Sequence, residues 1–124
     1  MAQGLILFAH GAREPGWAEP FEALVTRVRA LMPATPVRLA FLESMQPDLA
    51  GAAAELVSGG GDAIRIVPVF LGQGGHLRKD LPVLVAALEA KHPGIRFECT
   101  PPAGEDAAVL DAIAAFCVRK PQDR

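Results

Sequence analysis

Two histidines stand where the sequence could support chemistry. His10 directly follows the apolar run of residues 5–9, and His76 lies in a glycine-rich stretch after a second apolar run, residues 64–69. Neutral imidazole predominates at pH 7, because its unperturbed pKa is about 6.5, and it can bind a divalent cation or accept a proton. If the fold brings the two rings together, they favour a metal site or an acid–base pair. Taken singly, each histidine is more simply explained as a polar surface group.

Glu43 is the third candidate, because it ends the apolar segment Ala-Phe-Leu-Glu. A carboxylate at the end of a strand can orient a histidine, accept a proton or help to hold a metal ion. The alternative is a solvated loop acid. His92 is of a different kind, since it lies beside Lys91 where a helix is expected to end and where the helix dipole favours positive charge. For His92 we expect a structural role.

Three cations accompany these candidates, namely Arg13, Arg78 and Lys79. Clustered cations in an otherwise acidic chain favour an anionic ligand, although loop charges that only aid solubility are the alternative. The glycines Gly74 and Gly75 precede His76 and would let a flat ligand approach the backbone or let the loop move. The sequence carries neither the GxGxxG pattern after its first strand nor a Walker phosphate-binding sequence.

Strand-like and helix-like segments alternate four times along the chain. Short apolar runs predict strands at 3–9, 37–42, 63–70 and 95–99. Helical spacing of apolar residues predicts helices at 19–32, from Pro47 and Asp48 onward, from Asp80 onward and around 109–117. In the third of these helices, Asp80 is the expected N-cap, Pro82 falls in the first turn, and residues 72–79 form a loop.

This alternation predicts an α/β domain with a parallel sheet between helices, a three-layer sandwich. We expect the flavodoxin-like strand order 2-1-3-4, in which the first and third strands are neighbours. A crevice then opens at the carboxyl ends of those strands, where the chain leaves them in opposite directions. The loops that carry His10 and His76 both border that crevice.

Length and composition bound the possible functions. A chain of 124 residues fits one domain, expected at 1–120 with a frayed tail at 121–124. The net charge of −2 gives no basic field for nucleic acid, and no apolar run approaches the roughly 18 residues of a membrane span. Cys99 and Cys117 form no CxxC pair and are expected as small hydrophobes. With no recognisable export signal, we expect a cytoplasmic protein.

Three segments closely resemble the class II chelatases of tetrapyrrole biosynthesis, and among them the short-form sirohydrochlorin cobaltochelatases. The segments are residues 5–15, then 40–43 with Pro-Asp-Leu at 47–49, and then 68–82 with its spacing of Phe-Leu, Gly, His, Asp and Leu-Pro. The resemblance extends over nearly the whole chain. One departure is Ala12, which stands where the family usually has a serine after His-Gly.

The resemblance implies a chelatase-like fold and the ATP-independent insertion of a divalent metal, most simply cobalt, into sirohydrochlorin. The family histidines correspond to His10 and His76, as catalytic and metal-binding residues, and its acidic residue corresponds to Glu43. The implied substrate-binding residues are Arg13, Arg78, Lys79, Gly74 and Gly75. The metal would be a substrate rather than a tightly bound cofactor, and two copies would form a homodimer around the macrocycle.

Other readings of the same sequence stay open. Iron insertion towards siroheme, or nickel insertion into the same ring, are variants within the class, because imidazole and carboxylate ligands suit these metals alike. A carrier that binds metal or tetrapyrrole without turnover is a second hypothesis, which the loss of serine at Ala12 slightly favours. A histidine-phosphatase-like enzyme is a third, and it is disfavoured because Ala9 rather than arginine precedes His10.

Overall fold

The computed structural model describes residues 3–72 and 74–120, and of residues 75 and 76 it describes the backbone alone. Its strands are β1 (Gln3–Ala9), β2 (Val37–Phe41), β3 (Ala63–Pro68) and β4 (Arg96–Cys99). Its helices are α1 (Glu19–Leu31), α2 (Leu49–Ser58), α3 (Gly75–Lys91) and α4 (Ala107–Val118), with short 3-10 helices at Pro15–Ala18 and Ala103–Glu105. The predicted tail, 121–124, lies outside the described residues.

The described strands form one parallel sheet in the order β2-β1-β3-β4. β1 is central, and in its register Phe8 lies beside Ala40 on one side and Pro68 on the other. Residues 4–9 are therefore all buried, as expected for a strand covered on both faces. The observed order confirms the predicted fold class and strand arrangement.

Helices cover the two faces of the sheet unequally. One face carries α2 and α3 over the larger apolar cluster, whose fully buried strand residues are Ile6, Phe8, Ala40, Ile64 and Ile66. The opposite face carries α1 over a smaller cluster, built from Leu5, Leu7, Val25 and Val37. Among the described residues, α4 contributes to neither cluster. The sandwich has its three layers, but its last helix stands outside the packing.

Aspartates begin two of the helices. The Gly51 amide donates to Asp48 Oδ1 over 2.8 Å at the start of α2, and the Val109 amide donates to Asp106 Oδ2 over 3.2 Å at the start of α4. Each side chain satisfies one of the amide groups that the first helical turn leaves without a partner. The helix predicted from Pro47 and Asp48 onward therefore has Asp48 as its cap.

The start of α3 differs from the prediction. The expected N-cap, Asp80, lies inside the helix, which begins at Gly75 with Gly74 as its N-cap. The Arg78 amide donates to the Gly74 carbonyl over 3.1 Å, so the backbone hydrogen bonds of the helix begin before Asp80. Pro82 accordingly lies within the helix and not in its first turn. The remaining predicted ends lie within two residues of those observed.

Membrane insertion finds no support in the described helices. None of them combines the length and the apolar character that crossing a bilayer requires.

Candidate active site

The loops after β1 and β2 are joined by backbone hydrogen bonds. The Leu42 amide donates to the Ala9 carbonyl over 2.9 Å, and the Glu43 amide donates to the His10 carbonyl over 3.1 Å. These bonds continue the parallel pairing past the ends of both strands. As a result, the two residues that leave the sheet at this edge, His10 and Glu43, are held side by side.

The side chains of His10 and Glu43 meet. His10 Nε2 lies 3.0 Å from Glu43 Oε1, and the two side chains remain 55% and 59% exposed. The contact with a carboxylate places the ring hydrogen on Nε2, so that a neutral His10 presents its lone pair on Nδ1. Because the pair is open to solvent, a ligand can reach both groups without rearrangement of the core. The pair can accept a proton or offer nitrogen and oxygen ligands to a metal ion.

Phe70, just beyond β3, supports the His10 ring. The two rings lie edge to face with centroids 6.2 Å apart at 76°, and Phe70 contacts Phe8 in the same manner at 6.0 Å and 70°. The backbone of Phe70 is fixed in turn, because the Gly104 amide donates to its carbonyl over 2.8 Å. This role of Phe70 was not predicted, and the only signal for it in the sequence was an aromatic residue at the end of a predicted strand.

Gly11 is the residue that permits this approach of the two loops. Its φ of +94° is a left-handed conformation that side chains disfavour, and a Cβ atom at this position would overlap the carbonyl oxygen of Glu43. Any larger residue would push the loop after β2 away from His10. Glycine at this position is therefore a geometric requirement of the contact between His10 and Glu43.

We expect Gly11→Ala to destabilise the fold by at least about 1–3 kcal/mol, the range for backbone strain, and to lower activity by displacing Glu43. Gly60→Ala is the matched control, because Gly60 has the same kind of backbone conformation, φ +96°, with open space around its Cβ position. The free energy of unfolding in urea is measured for both variants. The difference between them separates the overlap with Glu43 from the cost of a positive φ, which both variants share. Equal losses of stability in the two variants would contradict the role assigned to Gly11.

The other predicted site residues lie on two segments. Arg13 is exposed in the loop before the short helix Pro15–Ala18, and Arg78 and Lys79 are exposed in the early turns of α3. Arg78 also lines a cavity of about 460 Å³ between α3 and β4. His76 and Gly75 belong to the first turn of α3, but their side-chain surroundings lie outside the described residues. A meeting of His76 with His10 stays a prediction.

Among the described residues, few side chains could hold a metal ion. Within the part of the chain that the structure describes, no three side chains of the types His, Cys, Asp and Glu converge. His10 and Glu43 supply one nitrogen and one oxygen donor, a set that suits several divalent transition metals.

A cavity at the end of β2 was not predicted. It has a volume of about 540 Å³ and lies between α1 and the end of β2, where its polar lining includes Glu22, Thr26, Arg29 and Gln46. The first three recur at helical spacing on one side of α1. Their spacing identifies a shared face, but only the position of β2 shows that this face borders a cavity.

His92 matches a structural role. Its ring packs against Phe97 with centroids 6.2 Å apart, at the end of α3 far along the chain from the candidate site. Its Nε2 atom is buried and has no hydrogen-bond partner among the described residues.

Comparison with known proteins identifies the family. The family model described as CbiX matches residues 4–117, which include both histidine segments and the strands that carry them. The chain belongs to the CbiX family. A crystal structure of a cobalamin (vitamin B12) biosynthesis CbiX protein from Marinobacter aquaeolei superimposes with a TM-score of 0.83 at 30% identity and covers 93% of each chain. The expected family and fold are both confirmed.

Two curated relatives carry activity names. A sirohydrochlorin cobaltochelatase from Methanocaldococcus jannaschii is 30% identical over 90 residues, which are 73% of this chain and 63% of that protein. A sirohydrochlorin ferrochelatase from Bacillus subtilis is 24% identical over 113 residues, 91% of this chain and 43% of that protein. This CbiX-family chain thus matches less than two thirds of the length of either relative.

Proposed function

We propose that this CbiX-family chain inserts a divalent metal ion, cobalt in the first place, into sirohydrochlorin without ATP. The contact between His10 and Glu43 at the carboxyl edge of the sheet carries the proposal, because it joins a proton acceptor to potential metal ligands in an accessible position. The family membership and the names of the two relatives support the same reaction.

The reaction requires three things of the protein. The metal ion must lose bound water, the two inner pyrrole N–H protons must leave, and the flat ring must be oriented. One divalent ion and the free-base ring yield the metallated ring and two protons, so charge balances without an oxidant or a nucleotide. His10 can accept one proton at Nδ1, and Glu43 stabilises the resulting imidazolium at a distance of 3.0 Å.

The remaining predicted residues complete the proposed site. Arg13, Arg78 and Lys79 would bind the carboxylates around the macrocycle, since all three are exposed and cationic. Gly74 and Gly75 bring backbone without side chains to the start of α3, where the helix dipole also favours an anionic group. His76, in the first turn of that helix, would supply the second imidazole.

Cobalt is the preferred metal because the relatives named for cobalt include the Methanocaldococcus protein at 30% identity. Iron is the alternative, as the name of the Bacillus relative indicates, and nickel shares the same ligand preferences. A homodimer, a cytoplasmic location and membership of the lyase class stay predictions from the resemblance.

An anaerobic assay tests the proposal. Purified protein is mixed with sirohydrochlorin and with Co²⁺, Fe²⁺, Ni²⁺ or Zn²⁺ in turn, and the change in ring absorbance is followed against the protein-free rate. We expect acceleration with Co²⁺. Failure to exceed the spontaneous rate with every metal would contradict the assignment of an enzyme. Stoichiometric ring binding without turnover would instead identify a carrier, which is the reading that Ala12 in place of serine favours.

A further inference from the structure

The segment that follows β4 is bonded to the end of β3. The Thr100 amide donates to the Ile66 carbonyl over 3.0 Å, which continues the pairing of the two strands just beyond β4. The chain then turns back over the end of β3, where the Gly104 amide donates to the Phe70 carbonyl over 2.8 Å. Two backbone hydrogen bonds thus join these segments, and the second lies directly beside the candidate site.

Gly104 has no room for a side chain. A Cβ atom at this position would overlap the carbonyl group and the Cα atom of Leu71. Backbone conformation is not the reason for glycine, because Gly104 lies in the 3-10 helix Ala103–Glu105 and its φ is outside the left-handed region. The requirement is one of distance, since the backbones of Gly104 and Leu71 pack directly against each other.

The segment that carries Gly104 is stiff. Pro101 and Pro102 precede it, and the ring of each proline holds its own φ at about −65°. Pro102 and Gly104 are both buried, whereas the side chain of Leu71 is 69% exposed. If a larger residue replaced Gly104, the end of β3 would therefore be the side that moves.

Phe70 connects this backbone contact to His10. Its ring lies edge to face against the His10 ring, with centroids 6.2 Å apart, and in the same way against the fully buried Phe8. The adjacent Val69 amide donates to the Phe8 carbonyl over 2.8 Å. Phe70 is therefore held by β1 on one side and by Gly104 on the other. A shift of its backbone would move the ring against which His10 packs.

We propose that Gly104 is a positioning residue of the candidate site, which holds Phe70 in place and thereby keeps the His10 ring beside Glu43. The inference rests on the proposed role of His10 in metal insertion, and it adds a residue from the segment after β4 to that site. A misplacement on the order of 1 Å, caused by a change remote from the chemistry, can lower a rate by about 10²-fold.

Gly61 provides a matched control at the opposite edge of the sheet, just before β3. Its amide donates to the Leu56 carbonyl over 3.0 Å, and a Cβ atom on Gly61 would lie 2.9 Å from the same oxygen. Like Gly104, it has no φ in the left-handed region. Gly61→Ala therefore also crowds a backbone carbonyl, but it does so away from His10 and Phe70.

The first measurement is the NMR chemical shift of the His10 ring protons in the substrate-free protein, assigned from their absence in His10→Ala. A neighbouring aromatic ring displaces these resonances, so they report the contact with Phe70. We expect Gly104→Ala to move them towards their positions in Phe70→Leu, which lacks the aromatic ring, and Gly61→Ala to leave them unchanged. Unmoved resonances in Gly104→Ala, or equal shifts in the two alanine variants, would overturn the proposal.

The second measurement is the rate of metal insertion. We expect kcat to fall by about 10²-fold in Gly104→Ala. In Gly61→Ala kcat should be unchanged, although its free energy of unfolding in urea also falls. If Gly104 acts through Phe70, combining Gly104→Ala with Phe70→Leu should give a variant little slower than the slower single one. Additive effects on kcat would contradict the inference.

A change to the backbone alone covers the case in which Gly104→Ala does not fold. The free thiol of Cys99 permits native chemical ligation of a synthetic segment that begins at Cys99 and carries an ester in place of the peptide bond before Gly104. The ester removes the N–H that donates to Phe70 and adds nothing that could overlap Leu71. Compared with the all-amide chain made by the same ligation, the His10 resonances should move in the direction seen for Phe70→Leu. Identical spectra of the two ligated chains would overturn the proposal.

The chemical shifts and the activity fail separately. A parent that inserts no metal, but whose His10 resonances respond to Gly104→Ala, defeats the proposed function and leaves the connection from Gly104 to His10 standing. An active parent whose His10 resonances do not respond to Gly104→Ala does the reverse.

Discussion

Replacement of His10 by alanine is expected to lower the rate of metal insertion by about 10²–10⁴-fold, the range for removal of a positioned proton acceptor. Its ring contacts Glu43 and meets the Phe70 ring edge to face, yet the side chain is more than half exposed. Stability should therefore change by no more than about 0.5 kcal/mol, as for other surface substitutions. The measurement is the initial rate with Co²⁺ and sirohydrochlorin, paired with urea unfolding of the same preparations.

Glu43 provides the test of whether His10 acts together with a partner. Glu43→Gln keeps the size and hydrogen-bonding capacity of the side chain but removes its charge, so the stabilisation of an imidazolium is lost. If the pair acts as a unit, the double variant should be little slower than His10→Ala alone. Full additivity of the two effects would show that the 3.0 Å contact is incidental to the reaction.

The strand order could be predicted because the apolar pattern of each strand indicates which of its faces are buried. The run from Leu5 to Phe8 is apolar at every position, which is typical of a strand with parallel neighbours and helices on both faces. Crossover handedness then leaves few arrangements. The neighbouring ends of β1 and β2 follow from that order, and with them the closeness of His10 and Glu43.

The start of α3 could not be predicted from local signals. Glycines at 74 and 75 favour a loop, and Asp80 has the side chain of a cap, so propensity alone places the helix too late. In the structure Leu77 and Leu81 are both buried. The free energy gained by burying them offsets the cost of holding Gly75 in a helical conformation. This tertiary contribution cannot be predicted from the sequence of a single segment.

The supporting contacts of the site were equally hidden. Phe70 follows β3 and contacts His10, which follows the neighbouring strand β1. Gly11 is required because of the carbonyl oxygen of Glu43, which lies 32 residues later in the sequence. Likewise, the periodicity of α4 predicted a helix but not that its apolar side chains would lack cover. Contacts between distant segments depend on the assembled fold, which spacing along the chain does not encode.

Replacement of His76 by alanine is the second substitution expected to abolish metal insertion, again by about 10²–10⁴-fold. Its place in the first turn of α3 puts it at the start of a helix that follows β3, the strand beside β1. A residue at a helix start adds little to core packing, so the free energy of unfolding should stay unchanged. Rates of insertion and urea unfolding again form the pair of measurements.

His92→Ala is the matched control, because it removes an imidazole from the opposite end of the same helix. We expect full activity from it, with a loss of stability, since His92 packs against Phe97. Titration of Co²⁺ into the parent and His76→Ala then separates the two roles of the ring. Weakened binding identifies a metal ligand, whereas unchanged binding with slower insertion identifies a proton acceptor. Unchanged insertion in His76→Ala would remove the second imidazole from the mechanism and leave the chemistry to His10 and Glu43.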